Sequence, residues 1–95
     1  MQGFATDKLP GCKVVQVALT YAATIHTIRV TGDFFVHPEE GLELLERTLI
    51  GRSLQTSDLD LVSYLKQAIT KHHLQLVGIT PEAIVTLVRR ACSGE

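Results

Sequence analysis

From Lys13 to Tyr21 the chain alternates. Val15, Val17, Leu19 and Tyr21 fall on one face of an extended backbone, with Gln16 and Thr20 among those on the other. This is the period-two signature of a half-buried strand. Ala22-Ala23-Thr24 interrupts the pattern, which resumes from Ile25 to Thr31: His26, Ile28 and Val30 share one face, and Thr27, Arg29 and Thr31 the opposite one. The two runs predict a β-hairpin, although no Asn-Gly or Asp-Gly marks its turn. Ile25 is out of phase with Ile28 and Val30, which predicts a bulge or a strand that begins one residue later. Residues 1–10 show no periodicity and are expected to be loosely ordered.

The pattern then changes period. Leu42, Leu45, Leu49 and Ile50 form an apolar stripe at helical spacing, with Pro38 as the expected first residue and Gly51 as the stop. Proline suits a first turn because its missing N–H has no partner there, and Glu39 and Glu40 place negative charge at the positive end of the helix dipole. Ser53 to Ser57 is a polar connector, and Thr56 or Ser57 caps a second helix running through His72. Its inward stripe uses Leu61, Leu65, Ala68 and Ile69, or the overlapping set Leu59, Val62 and Tyr64. Leu74 to Thr80 fits either a short third strand or an apolar linker around Gly78. Thr80-Pro81-Glu82 is the clearest helix start, and Ile84, Leu87, Val88 and Ala91 continue it. The elements predict one small α+β domain, an antiparallel hairpin or three-stranded sheet packed against three helices.

Composition narrows the possible partners. With 95 residues there is room for one modest core. A formal net charge of −1, and no basic run beyond Arg89-Arg90, argue against nucleic acid or an anionic membrane as partner. Hydrophobic residues make up 45% and mean hydropathy is +0.19. No apolar run approaches the ~20 residues of a membrane span, so an exposed apolar patch for a protein partner is the expected outlet. Cys12 and Cys92 are lone cysteines without a CxxC pattern, and the amino terminus lacks the basic-then-apolar pattern of a leader. Both observations point to the cytoplasm.

Catalytic groups are not evident. Cys12, His26 and Asp33 carry no local mark of activation, and a small domain's stray cysteine is usually inert packing. His72-His73 are adjacent, so on a helix they point about 100° apart and make a poor chelating pair; with Lys71 they are expected to cap the helix end. Gly11-Cys12-Lys13 lacks the spacing of a phosphate loop. No catalytic residue and no metal ligand is assigned.

The most informative stretch is Ile28 to Glu40, IRVTGDFFVHPEE, which places two of the three Phe side by side where a strand meets a helix. The plainest reading has both rings in the core, with Gly32-Asp33 as a turn. If Phe34 and Phe35 are extended, however, they face opposite ways and one is free for a partner. The string Gly32-Asp33-Phe34-Phe35, then Pro38-Glu39-Glu40 and a Leu/Glu helix ending in Leu49-Ile50-Gly51, resembles the C-terminal accessory domain of lipoate-protein ligases. Gly78-Ile79-Thr80-Pro81-Glu82 also looks like that family's last helix start. Lys13 matches a Gly-Gly-Lys of the family in which Cys12 replaces the second Gly; on its own it reads as a strand-edge lysine.

The resemblance covers Gly11 to about Ala91 and implies a single domain over residues 11–95 with a fold similar to iron–sulfur scaffold proteins (SufE/NifU-like). It implies the small subunit of a two-chain ligase, forming a heterodimer with a large catalytic subunit. That subunit would hold ATP, lipoate and magnesium; this chain alone would hold no cofactor. Lipoate is activated to lipoyl-AMP and the lipoyl group then moves to an acceptor protein, an indirect partner. Lys13, Gly32, Asp33, Phe34, Phe35 and His37 are the residues expected to face the large subunit near its nucleotide. His37 alone would read as a solvated residue before the helix. Two other readings remain: an iron–sulfur or sulfur-transfer accessory protein, and an interaction module unrelated to lipoate.

Overall fold

Alternation is obeyed most strictly in the central strand. A computed structural model describes residues 1–93 and places Val15, Val17, Leu19 and Tyr21 of β2 (Val15–Tyr21) in the core. β2 is flanked by β1 (Gln2–Asp7) and β3 (Ile25–Gly32), giving a three-stranded antiparallel sheet in the order β1-β2-β3. The hairpin is as expected, and so is the irregularity: the register shifts at Thr20/Tyr21, where Tyr21 opposes Ile25. That shift buries Ile25 together with Ile28 and Val30 and turns His26 out to solvent, correcting the expectation that His26 shares their face.

The expectation of a loose amino terminus is also corrected. Residues 2–7 form a full edge strand paired from Gln2↔Thr20 to Asp7↔Val15. Its inward positions are Gly3, Ala5 and Asp7, and its one large apolar residue, Phe4, lies on the outer face. Arg90 donates to the Asp7 carboxylate at 2.5 Å and ties the strand to the last helix.

Three helices cover the inner face: α1 (Gly41–Leu49), α2 (Asp58–Lys71) and α3 (Pro81–Cys92). α3 is capped as its sequence predicts, with Thr80 accepting from Ala83 N at 3.1 Å and Pro81 in the first turn, and it buries Ala83, Ile84, Val85, Leu87, Val88 and Ala91. In α2 the cap is Ser57; Leu61 and Leu65 are fully buried, Ala68, Ile69, Val62 and Tyr64 pack at the margin, and Leu59 faces solvent. Arg89 reaches back to Asp58 at 2.5 Å, to the Leu54 carbonyl at 2.6 Å and to the Thr56 carbonyl, fixing the polar connector against α3.

Two helix ends differ from expectation. Pro38 is not the first residue of α1: Gly41 N–H bonds to the Pro38 carbonyl at 2.8 Å in a turn, and the first helical bond runs from Leu44 to Glu40. The chain needs those residues to leave a short strand that ends at His37. At the end of α2 the cap is backbone. His73 takes a left-handed conformation (φ 54), His73 N–H bonds to Thr70 and Leu74 N–H to Ile69, a Schellman arrangement with histidine in the usual glycine place. Leu74, just beyond, is buried and anchors the turn.

Leu74 to Thr80 does contain a strand. β5 (Gln75–Val77) pairs antiparallel with β4 (Phe35–His37) in a separate two-stranded ribbon, with Phe35↔Val77, Val36↔Leu76 and His37↔Gln75 in register.

Candidate functional site

Three segments meet where β3 leaves the main sheet. Gly32 lies so close to the approach to β2 that a Cβ placed on it would sit 2.1 Å from the Val14 carbonyl oxygen, and its φ of +148° is itself unsuited to other residues. The next residue secures the crossing, as Asp33 N–H donates to the same carbonyl at 3.0 Å. One residue earlier, Lys13 N–H donates to the Gly78 carbonyl at 2.8 Å, tying the ribbon to the sheet. Gly78 in turn is flanked by the Lys13 stem and by Phe34: a Cβ there would stand 2.7 Å from Lys13 Cγ and 3.5 Å from Phe34 Cβ.

The two Phe therefore divide as extended neighbours must. Phe34 is half-buried and packs on the hydrophobic core, while Phe35 is 75% exposed. Directly across the ribbon from Phe35 stands Val77, itself 61% exposed. Val36 and Leu76 form the opposite, inward pair, and Val36 rests on Gly41 at the start of α1. The outer face of the ribbon is thus a rigidly mounted apolar pair, followed by His37 and Gln75, both exposed.

The six residues expected to face a partner, Lys13, Gly32, Asp33, Phe34, Phe35 and His37, lie together at this corner. Gly32 and Asp33 build the crossing, Phe34 anchors it, and Phe35 and His37 sit on its outer surface. Lys13 is exposed beside them, and among the described residues its ammonium makes no ion pair. Val77 and Gly78 were missed as members of the site. Their signal was the glycine inside an apolar run, which leaves strand and linker undecided until the partner strand is known.

The corner offers binding surface, and the nearby chemistry is structural. Cys12 is buried, with its Sγ 3.9 Å from the Thr80 hydroxyl under the start of α3. Cys92 lies at the far end of the same helix, and burial pushes its thiol pKa up, against a smaller opposing pull from Arg89. Thr80 and Cys92 are separated by the length of α3, roughly 18 Å at 1.5 Å per residue, so the two thiols do not converge. No cluster of three potential metal ligands occurs among the described residues. No described helix is long and apolar enough to cross a membrane.

No protein-family model and no curated protein matches the sequence. Among solved structures, the fold is similar to a chain from Thermoplasma acidophilum, in a structural analysis of an archaeal lipoylation system comprising a bi-partite lipoate protein ligase and its E2 lipoyl domain. The two align with a TM-score of 0.70 at 22% identity, over 94% of this chain and 98% of that one. The likeness is thus one of whole fold, extending nearly end to end in both chains.

Proposed function

We propose that this chain is the small accessory subunit of a bipartite lipoate-protein ligase, required with a large catalytic subunit for ATP-dependent activation of lipoate to lipoyl-AMP. The observation that carries this reading is the end-to-end likeness to a chain of a bi-partite ligase system. The Gly-Asp-Phe-Phe corner that suggested the family is also the place where the fold exposes an aromatic ring. The chain's contribution is shape rather than reacting groups. Its corner seats Phe35 and Val77 on the large subunit and brings the Lys13 ammonium to the rim of that subunit's site. Closing such a site excludes water, which strengthens the charge interactions inside it and protects an acyl-adenylate from hydrolysis.

The iron–sulfur alternative needs thiolates converging on one cluster, and placement at opposite ends of α3 counts against it. The test separates the half-reactions. The large subunit with ATP and lipoate should release pyrophosphate only when this chain is added, and should transfer lipoyl from preformed lipoyl-AMP without it. Activation by the large subunit alone, or equal dependence of both steps on this chain, contradicts the proposal.

A further inference from the structure

The two edges of the main sheet are treated differently. The β3 edge is partly covered: the Glu46 carboxylate accepts from Val30 N–H at 2.8 Å, Gly51 N–H donates to the Ile25 carbonyl at 2.8 Å, and Ile25 N–H donates to the Arg52 carbonyl at 3.0 Å. The β1 edge has no such cover among the described residues. Met1 and Tyr21 exchange both of their backbone bonds, each at 2.9 Å, which sets the phase of the antiparallel ladder. Gly3, Ala5 and Asp7 therefore bond toward β2, and the N–H and C=O groups of Gln2, Phe4 and Thr6 point away from the sheet. None of the usual protections of an open edge is present over these residues: Gln2 to Thr6 contains no lysine, no proline, no charge and no bulge.

We infer that the β1 edge is a self-association surface, pairing with β1 of a second copy about a two-fold axis through Phe4. That register is self-complementary. Phe4 opposes Phe4 of the second copy and Gln2 opposes Thr6, so every outward N–H and C=O of the three residues on each strand gains a partner. The two Phe4 rings, each 54% exposed in the single chain, become neighbours on the open face of a six-stranded sheet. No like charges are brought together: Gln2 to Thr6 carries no charged side chain, and the flanking Asp7, engaged by Arg90, falls opposite Met1 of the second copy in this register. Gln2, Phe4 and Thr6 belong neither to the Gly32–His37 corner nor to the β4–β5 ribbon, so the inference does not depend on the proposed function.

Sedimentation of the full chain alone over a range of about 5 µM to 1 mM tests this, with circular dichroism as the control for folding. The wild-type mass should rise with concentration from the 10.4 kDa monomer toward twice that value. Thr6→Pro removes only an edge donor, a place where strands tolerate proline, and Phe4→Asp sets two carboxylates face to face; each should weaken self-association at least tenfold while the dichroism spectrum is unchanged. A chain that stays monomeric throughout overturns the inference. So do folded Thr6→Pro and Phe4→Asp variants that associate as well as wild type. A monomeric chain whose Thr6→Pro variant binds the large subunit less well would assign the edge to that partner instead, and equally overturns self-pairing.

Discussion

The three-stranded sheet and the β4–β5 ribbon differ in where they put their large side chains. In the sheet, β2 turns Val15, Val17, Leu19 and Tyr21 inward onto the helices, and its outer face is polar or small. The ribbon keeps Val36 and Leu76 against the body but turns Phe35 and Val77 to solvent at directly opposed positions. A two-stranded ribbon is too small to hold itself together. This one is held by the Lys13–Gly78 and Asp33–Val14 backbone bonds and by the half-buried Phe34. A surface supported in that way can carry exposed apolar residues without taking part in the core, and so can serve a partner without cost to the fold.

The comparison can be broken first from the side of the sheet. Leu87 is fully buried in α3, so Leu87→Ala should destabilise the chain by about 2–5 kcal/mol in urea or guanidinium unfolding, through lost transfer energy and a cavity. A loss below about 1 kcal/mol would mean that the helix layer is loosely packed. Phe34 joins the two regions. As a half-buried ring it should cost roughly 2 kcal/mol when cut to Ala, less than a fully buried Phe. No change in stability on Phe34→Ala would detach the ribbon from the core and remove the reason for Phe35 being held rigidly.

Lys13→Ala sharpens the functional side. One rim charge adds little to affinity, under about 0.5 kcal/mol, but can stabilise charge developing on phosphate. Pyrophosphate release by the reconstituted pair should fall about tenfold, or ~1.4 kcal/mol, with binding of the two chains nearly unchanged. The reverse pattern, weaker binding and unaltered activation, would make Lys13 a docking residue only.

The smallest effect concerns acid. The Arg90 hydrogen bond, helped by the Lys8 backbone N–H, holds the Asp7 carboxyl below its usual pKa, and its own backbone N–H and Lys66 do the same for Glu82. Each contributes stability that is present above the unfolded carboxyl value of about 4 and is lost as pH falls through the lower folded value. The groups are exposed, so the urea midpoint should decline only slightly below pH ~4, and less so in Asp7→Asn. A steep decline there would point to a buried carboxylate, which is absent among the described residues.

What the sequence conveyed follows the same division. The β2–β3 hairpin and α3 were legible because large apolar residues repeat at the period of the element and meet recognisable ends, such as Thr80-Pro81. β1 was not, because its inward residues are small and its one Phe faces out. The approach of α3 explains the inversion: a Cβ on Gly3 would lie 2.3 Å from the Ala91 carbonyl oxygen. Gly32-Asp33-Phe34-Phe35 identified the corner, and alternation required that the two rings part, but only the β4–β5 register could say that Phe35 is the outer one. His73 as a left-handed helix end had no sequence signal, since histidine seldom fills that place.

The central claim, that the body carries stability and the corner carries the partner, is tested most directly by one variant read in two ways. Phe35→Ala should weaken binding to the large subunit by about 2 kcal/mol, near thirtyfold in Kd, while the unfolding free energy of the isolated chain shifts by less than about 0.5 kcal/mol. Unchanged affinity, or a loss of affinity matched by an equal loss of stability, would contradict it.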